Sequence, residues 1–118
     1  MTNIYEVACS TLEQLGHDVR EQGTSAPNAK LPESFVTYQV IDDSPASHAD
    51  NKPTSLVWRV QVSLYSKKPA IKQGASEAIK DVMLAAGFLR VGGRDLPFSE
   101  MTGHYGYTCD YRFYEMEE

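Results

Sequence analysis

An α+β domain is predicted for this chain, with two helices packed on one face of a mainly antiparallel sheet of four strands or slightly more, in the order α-β-β-α-β-β. Three observations carry that expectation. Apolar residues recur at helical spacing near residues 3–16 and 69–87, and they alternate with mostly polar ones over 54–66 and 105–116. The length of 118 residues, with 42% hydrophobic and 23% charged residues, is that of a single globular domain covering residues 1–118. A chain of this size buries roughly two-thirds of the surface its unfolded form exposes, so neither metal nor disulfide is needed to hold it.

In the first helix Ile4, Val7, Ala8, Leu12 and Leu15 share one side, and Glu6, Ser10, Glu13 and Gln14 the other. Thr2 or Asn3 can cap its first amides, and Gly16 suits the left-handed residue that ends a helix. His17 to Ser34 is polar and punctuated by Gly23, Pro27 and Pro32, so it reads as a connection in which Val19 can anchor a short extended piece against the sheet. Phe35 to Asp42 is rich in β-branched and aromatic residues and reads as a strand.

Asp43 to Pro53 has almost nothing apolar and two prolines, and is expected to be a loop of about ten residues, longer than ordinary hairpin loops and therefore a candidate site. In the next strand Leu56, Trp58, Val60, Val62 and Leu64 form the core face, with Val57, Arg59, Gln61, Ser63 and Tyr65 opposite. Pro69 opens the second helix, whose stripe of Ile71, Ala75, Ala78, Ile79, Val82, Ala85 and Ala86 runs to Gly87. Phe88–Val91, Gly92-Gly93 and Arg94–Phe98 read as a hairpin turned at the glycine pair or as a strand leading into a loop. Tyr105 to Met116 closes the chain as a strand with Tyr105, Tyr107, Cys109, Tyr111 and Phe113 on the core-facing side.

The charge balance narrows the function. Eleven basic against sixteen acidic residues leave −5, and the cations are scattered along the chain, which opposes a DNA-binding module. Cys9 and Cys109 are far apart and form no CxxC pair, so two free thiols in a reducing compartment are expected. No apolar run approaches the ~18 residues of a membrane span, and no secretory leader is read at the N-terminus.

No nucleophile elbow, phosphate loop, dinucleotide fingerprint or HExxH spacing occurs, and no catalytic residues, cofactor or metal are assigned. The best chemical fragment is Asp42-Asp43 with His48 and Asp50, where a histidine near carboxylates has the makings of a general base or metal ligand; solvated turn formers are the stronger reading. His17 and His104 are expected to cap or lie at the surface. Leu84 projects away from the second helix's stripe. With Arg59, Tyr65, Arg112 and Tyr114 on the non-core sheet face, it marks surfaces of the kind that protein interfaces favour.

Several segments together resemble a known family. These are LPESFVTYQVIDDSPASHADNKP from Leu31, SLVWRVQVSLYSK from Ser55, the helix ending in AAGF at Phe88, and the tyrosine-rich last strand. In combination and order they are similar to the tail-completion, or tail-to-head joining, proteins of long-tailed bacteriophages and prophages of low-GC Gram-positive bacteria. The long loop expected from Pro97 to Gly106 matches less closely and carries no role. The resemblance implies a tail-terminator-like structural protein without enzymatic activity or cofactor. Such subunits form a ring, commonly a hexamer and at times monomeric before assembly, on the major tail tube protein. The ring docks to the head connector or stopper and lets DNA pass without specific binding.

The implied location is the virion neck, after assembly in the host cytoplasm, with no membrane involved. On this reading Asp42, Asp43, His48, Asp50 and Asn51 reach a neighbouring subunit or the tube, and Arg59, Tyr65, Leu84, Arg112 and Tyr114 lie on protomer surfaces. The alternative is a small cytoplasmic α+β domain that binds a ligand or regulates.

Overall fold

The computed structural model describes residues 3–24, 30–49 and 52–116, with 44–49, 52–55 and 116 described as backbone. Helix α1 spans Ile4–Glu13, strand β1 Asp18–Glu21, β2 Ser34–Ala49 and β3 Lys52–Ser66. Helices α2 (Pro69–Gln73) and α3 (Ala75–Ala85) follow, then β4 (Leu89–Ser99) and β5 (His104–Met116). The strands make a five-stranded mixed sheet in the order β1-β2-β3-β5-β4. The class is α+β as expected, with a fifth strand and three helical segments in place of two.

The extra strand is the short piece around Val19. It pairs in parallel with β2, Val19 beside Val36, and the other three pairings are antiparallel. The short extended piece expected at Val19 is thus a strand of the sheet; four residues of modest apolarity carry little periodicity of their own, and pairing with β2 supplies what the local sequence lacks. The predicted second helix is divided at Gly74, which closes α2 and precedes α3.

The core lies between the helices and one face of the sheet. Val36 and Tyr38 from β2, Val60, Val62 and Leu64 from β3, and Tyr107, Cys109 and Tyr111 from β5 meet Ile4, Ala8 and Leu12 of α1 and Ala75, Ile79 and Met83 of α3. Ile71 of α2 packs against the same cluster, so all three helices cover one face. Each large aliphatic side chain so buried contributes about 1.5–3 kcal/mol relative to exposure. The α3 stripe is rotated from the expected one: Met83 is buried, while Ala78 and Ala85 face solvent. Asn3 caps α1, its side chain accepting from the amides of Tyr5 and Glu6.

Two turn expectations are corrected. Gly92-Gly93 makes no hairpin; β4 runs straight through it to Ser99, with a register shift between Arg90 and Gly92. The connection to β5 is only residues 100–103, where Gly103 takes φ +77°. The glycine at 93 answers a packing demand instead. A Cβ there would lie 2.8 Å from Cys109 Cβ and 2.9 Å from the Thr108 carbonyl oxygen, closer than real contacts allow. Gly93→Ala is therefore expected to destabilise the fold by about 1–3 kcal/mol, the ordinary cost of overpacking, in a urea titration. Gly92→Ala, with open space around its Cβ, is the control and should shift the midpoint far less.

The third correction concerns Asp43 to Pro53. Here β2 and β3 continue as a paired hairpin, with Asp43 opposite Trp58, Ser44 opposite Val57, His48 opposite Pro53 and Ala49 opposite Lys52. Alternation of apolar side chains reports burial, not extension, and this arm lies beyond the helix-covered core, so backbone pairing extends it without an apolar face. Pro45 and Pro53 lack an N–H for the ladder, and register shifts flank Ser47. Sixteen residues of β2 at about 3.3 Å each reach roughly 50 Å, close to the 53 Å long axis of the molecule.

Candidate interaction surfaces

The sheet face away from the helices collects most of the residues singled out from the sequence. Because side chains alternate, Arg59, Gln61, Ser63 and Tyr65 of β3 share it with Asp110, Arg112 and Tyr114 of β5 and with Arg94 of β4. Arg59 lies directly opposite Arg112, a cross-strand pair of like charges. Asp110 moderates it, accepting from Arg59 Nη2 at 2.7 Å and Nε at 3.2 Å, and from the Gln61 amide at 3.4 Å. Ser63 and Thr108, small enough to sink between their neighbours, are buried and bonded to each other at 2.9 Å.

Tyr65 stacks on Phe35, with ring centroids 5.0 Å apart and planes at 22°. Its ring also lies over Gly106, where a Cβ would come within 3.1 Å of it. Tyr114, about half exposed, stands opposite Val57 near the base of the arm. Leu84 is exposed as expected, on the outside of α3. It belongs to the helical layer and is not joined to the other four.

The acidic set divides as well. Asp42 and Asp43 are exposed and line a hollow of about 220 Å³ at the base of the arm, together with Tyr5, Val40, Ile41 and Trp58. Trp58 donates to Glu115 Oε2 at 2.8 Å, tying the arm to the end of β5. His48 stands in the arm opposite Pro53, while Asp50 and Asn51 lie outside the described residues. Among the described residues no three His, Cys, Asp or Glu side chains gather as a metal site would require.

Sequence reasoning missed Asp110 and Arg94 and misplaced His104. Asp110 and Arg94 become meaningful only through cross-strand neighbours that chain order hides. His104, expected to cap or lie at the surface, is almost fully buried at the start of β5, its Nε2 2.8 Å from the Pro32 carbonyl and its ring edge-on to Phe35. The glycines on either side suggested a loop; the contact that buries the ring comes from residues 72 positions away.

Cys9 and Cys109 are free thiols. Burial pushes the Cys109 thiol up from 9.0 to about 11. Burial also raises Tyr111 and Tyr38, with smaller contributions from Cys109 and Cys9 respectively. No helix among the described residues is long and apolar enough to cross a membrane. The chain matches no protein-family model and no curated protein sequence.

Two outcomes follow from these charges. Asp110→Ala leaves Arg59 facing Arg112 without a carboxylate and should cost about 1 kcal/mol in denaturant melts at low ionic strength, less in high salt. The raised thiol and phenol values mean that the folded chain holds protons the unfolded chain has released. Stability is then full below about pH 9 and falls as pH rises, through 9 to 11 for Cys109, which alone contributes up to roughly 3 kcal/mol, and above 10 for the two phenols. Guanidinium titrations at pH 8 and pH 10.5 measure that decline, and Cys109→Ala should lessen it.

Proposed function

We propose that this protein is a neck subunit of a long-tailed phage or prophage, forming a ring on the end of the tail tube and joining tail to head connector. The sequence resemblance suggests the reading, and one structural observation supports it above the others: the paired β2–β3 arm. A polar hairpin held by its own ladder beyond the core lets one subunit reach a neighbour without unfolding its own domain. The arm of one copy laid on a different surface of the next is a heterologous contact, and such contacts close into rings when the rotation permits.

The edges of the sheet support the same use. Beyond Tyr38 no described strand pairs with the outer edge of β2. At the other edge β4 exposes Leu89 and Val91. In a ring that DNA traverses, Arg59, Arg94 and Arg112 belong at subunit boundaries, because cations contacting phosphate hold DNA in place. The net charge of −5 per copy suits a lumen that DNA passes without binding.

Replacing residues 46–55 with Asn-Gly shortens the arm and leaves Pro45 opposite Leu56 across a two-residue turn. The variant should keep the melting temperature of the parent within a few degrees. The parent should cap tail tubes as rings in negative-stain images and restore joining in a complementation assay, and the shortened variant should fail to join. Full joining by the variant, or bare tubes with the parent, overturns the proposal.

A further inference from the structure

At one end of the helix-free face lies a pocket of about 340 Å³ between the start of β2 and the turn that follows β4. Its walls are Phe35, Tyr65, Leu31 and Pro97, with Thr37 and His104 among its polar members, and none of the described lining residues is charged. Volume and lining fall in the range of small-molecule sites, apolar with a few convergent polar groups. The stacked Phe35 and Tyr65 rings and the edge-on His104 ring make the wall aromatic.

Two buried polar atoms here have no hydrogen-bond partner among the described residues, His104 Nδ1 and Thr37 Oγ1. His104 Nε2 lies 2.8 Å from the Pro32 carbonyl, an acceptor only, so Nε2 carries the proton and Nδ1 presents a lone pair. A buried acceptor left without a donor costs about 1–3 kcal/mol. The absence of charge selects a neutral occupant, the ring walls select a flat one, and the lone pair on Nδ1 selects one that donates.

We infer that the pocket binds a neutral, flat aromatic molecule carrying one hydrogen-bond donor, of the indole class, with His104 Nδ1 as its acceptor. Both orphan atoms are covered in the free chain, so entry shifts the lining side chains, and that shift is itself observable. The site is independent of the arm and of the ring reading, which stands or falls on tail joining.

The test is an NMR titration of the full ¹⁵N-labelled chain with indole, and with benzofuran, which has the same outline and an ether oxygen in place of the N–H. Indole should shift the amides of Phe35, Thr37, Tyr65 and His104 saturably, with a Kd near or below about 1 mM. The His104 Nδ1 resonance should move with indole and stay with benzofuran, which should bind at least about fivefold more weakly because it leaves the acceptor unpaired. Thr102→Trp, at an exposed lining position in the turn, should occlude the pocket and lower indole affinity about tenfold or more while the remaining spectrum keeps its dispersion. No saturable shift at these residues, or equal affinity for the two probes, overturns the inference.

Discussion

The ladders that set Val60, Val62 and Leu64 opposite Val40, Tyr38 and Val36 on one side, and opposite Tyr111, Cys109 and Tyr107 on the other, hold three strands in a common register. That register decides which face receives the helices. A slip of one residue would turn the aliphatic row of β3 away from α1 and α3 and bring Arg59, Gln61 and Ser63 against them. Arginine without a partner in an apolar layer costs far more than any single core contact returns. The position of Arg59 beside Asp110, the meeting of Phe35 with Tyr65, and the closeness of Tyr65 to Gly106 all follow from the same alignment.

What could be read in advance follows from where burial leaves a periodic mark. The aliphatic row of β3 and the tyrosine row of β5 alternate because one side of each is dry, and the stripe of α1 repeats at helical spacing for the same reason. The arm is extended yet carries no such mark, since pairing of backbone groups alone sustains it past the helices; composition there described a loop while hydrogen bonding made a hairpin. Gly92-Gly93 misled in the opposite direction. A pair that suits a tight turn is required within a strand, because Cys109 and Thr108 leave no room for a Cβ at position 93.

The candidate surfaces were legible as residue types and not as arrangements. Arg59 and Arg112 are 53 positions apart in the chain and directly opposite in the sheet, and Asp110, the carboxylate that makes the pair tolerable, drew no notice on its own. His104 shows the same limit more sharply. Its glycine neighbours favour a turn, and only the approach of Pro32 and Phe35 makes the ring a buried group with one nitrogen engaged.

The helix-free face is thus uneven in its physics. Near the arm it carries like charges moderated by one carboxylate, a surface that gains from an acidic neighbour and loses from an apolar one. At the far end it carries stacked rings and no charge among the described lining residues, with the unpaired His104 Nδ1 covered beneath them, a pocket that suits a flat neutral molecule and would penalise an ion. A single partner covering both ends would have to match opposite demands. Burying Ser63 and Thr108, which are already hydrogen-bonded to each other, returns little to any partner, so the middle of the face separates the two ends. The charged end and the aromatic end are therefore two separate surfaces, each with its own chemical preference.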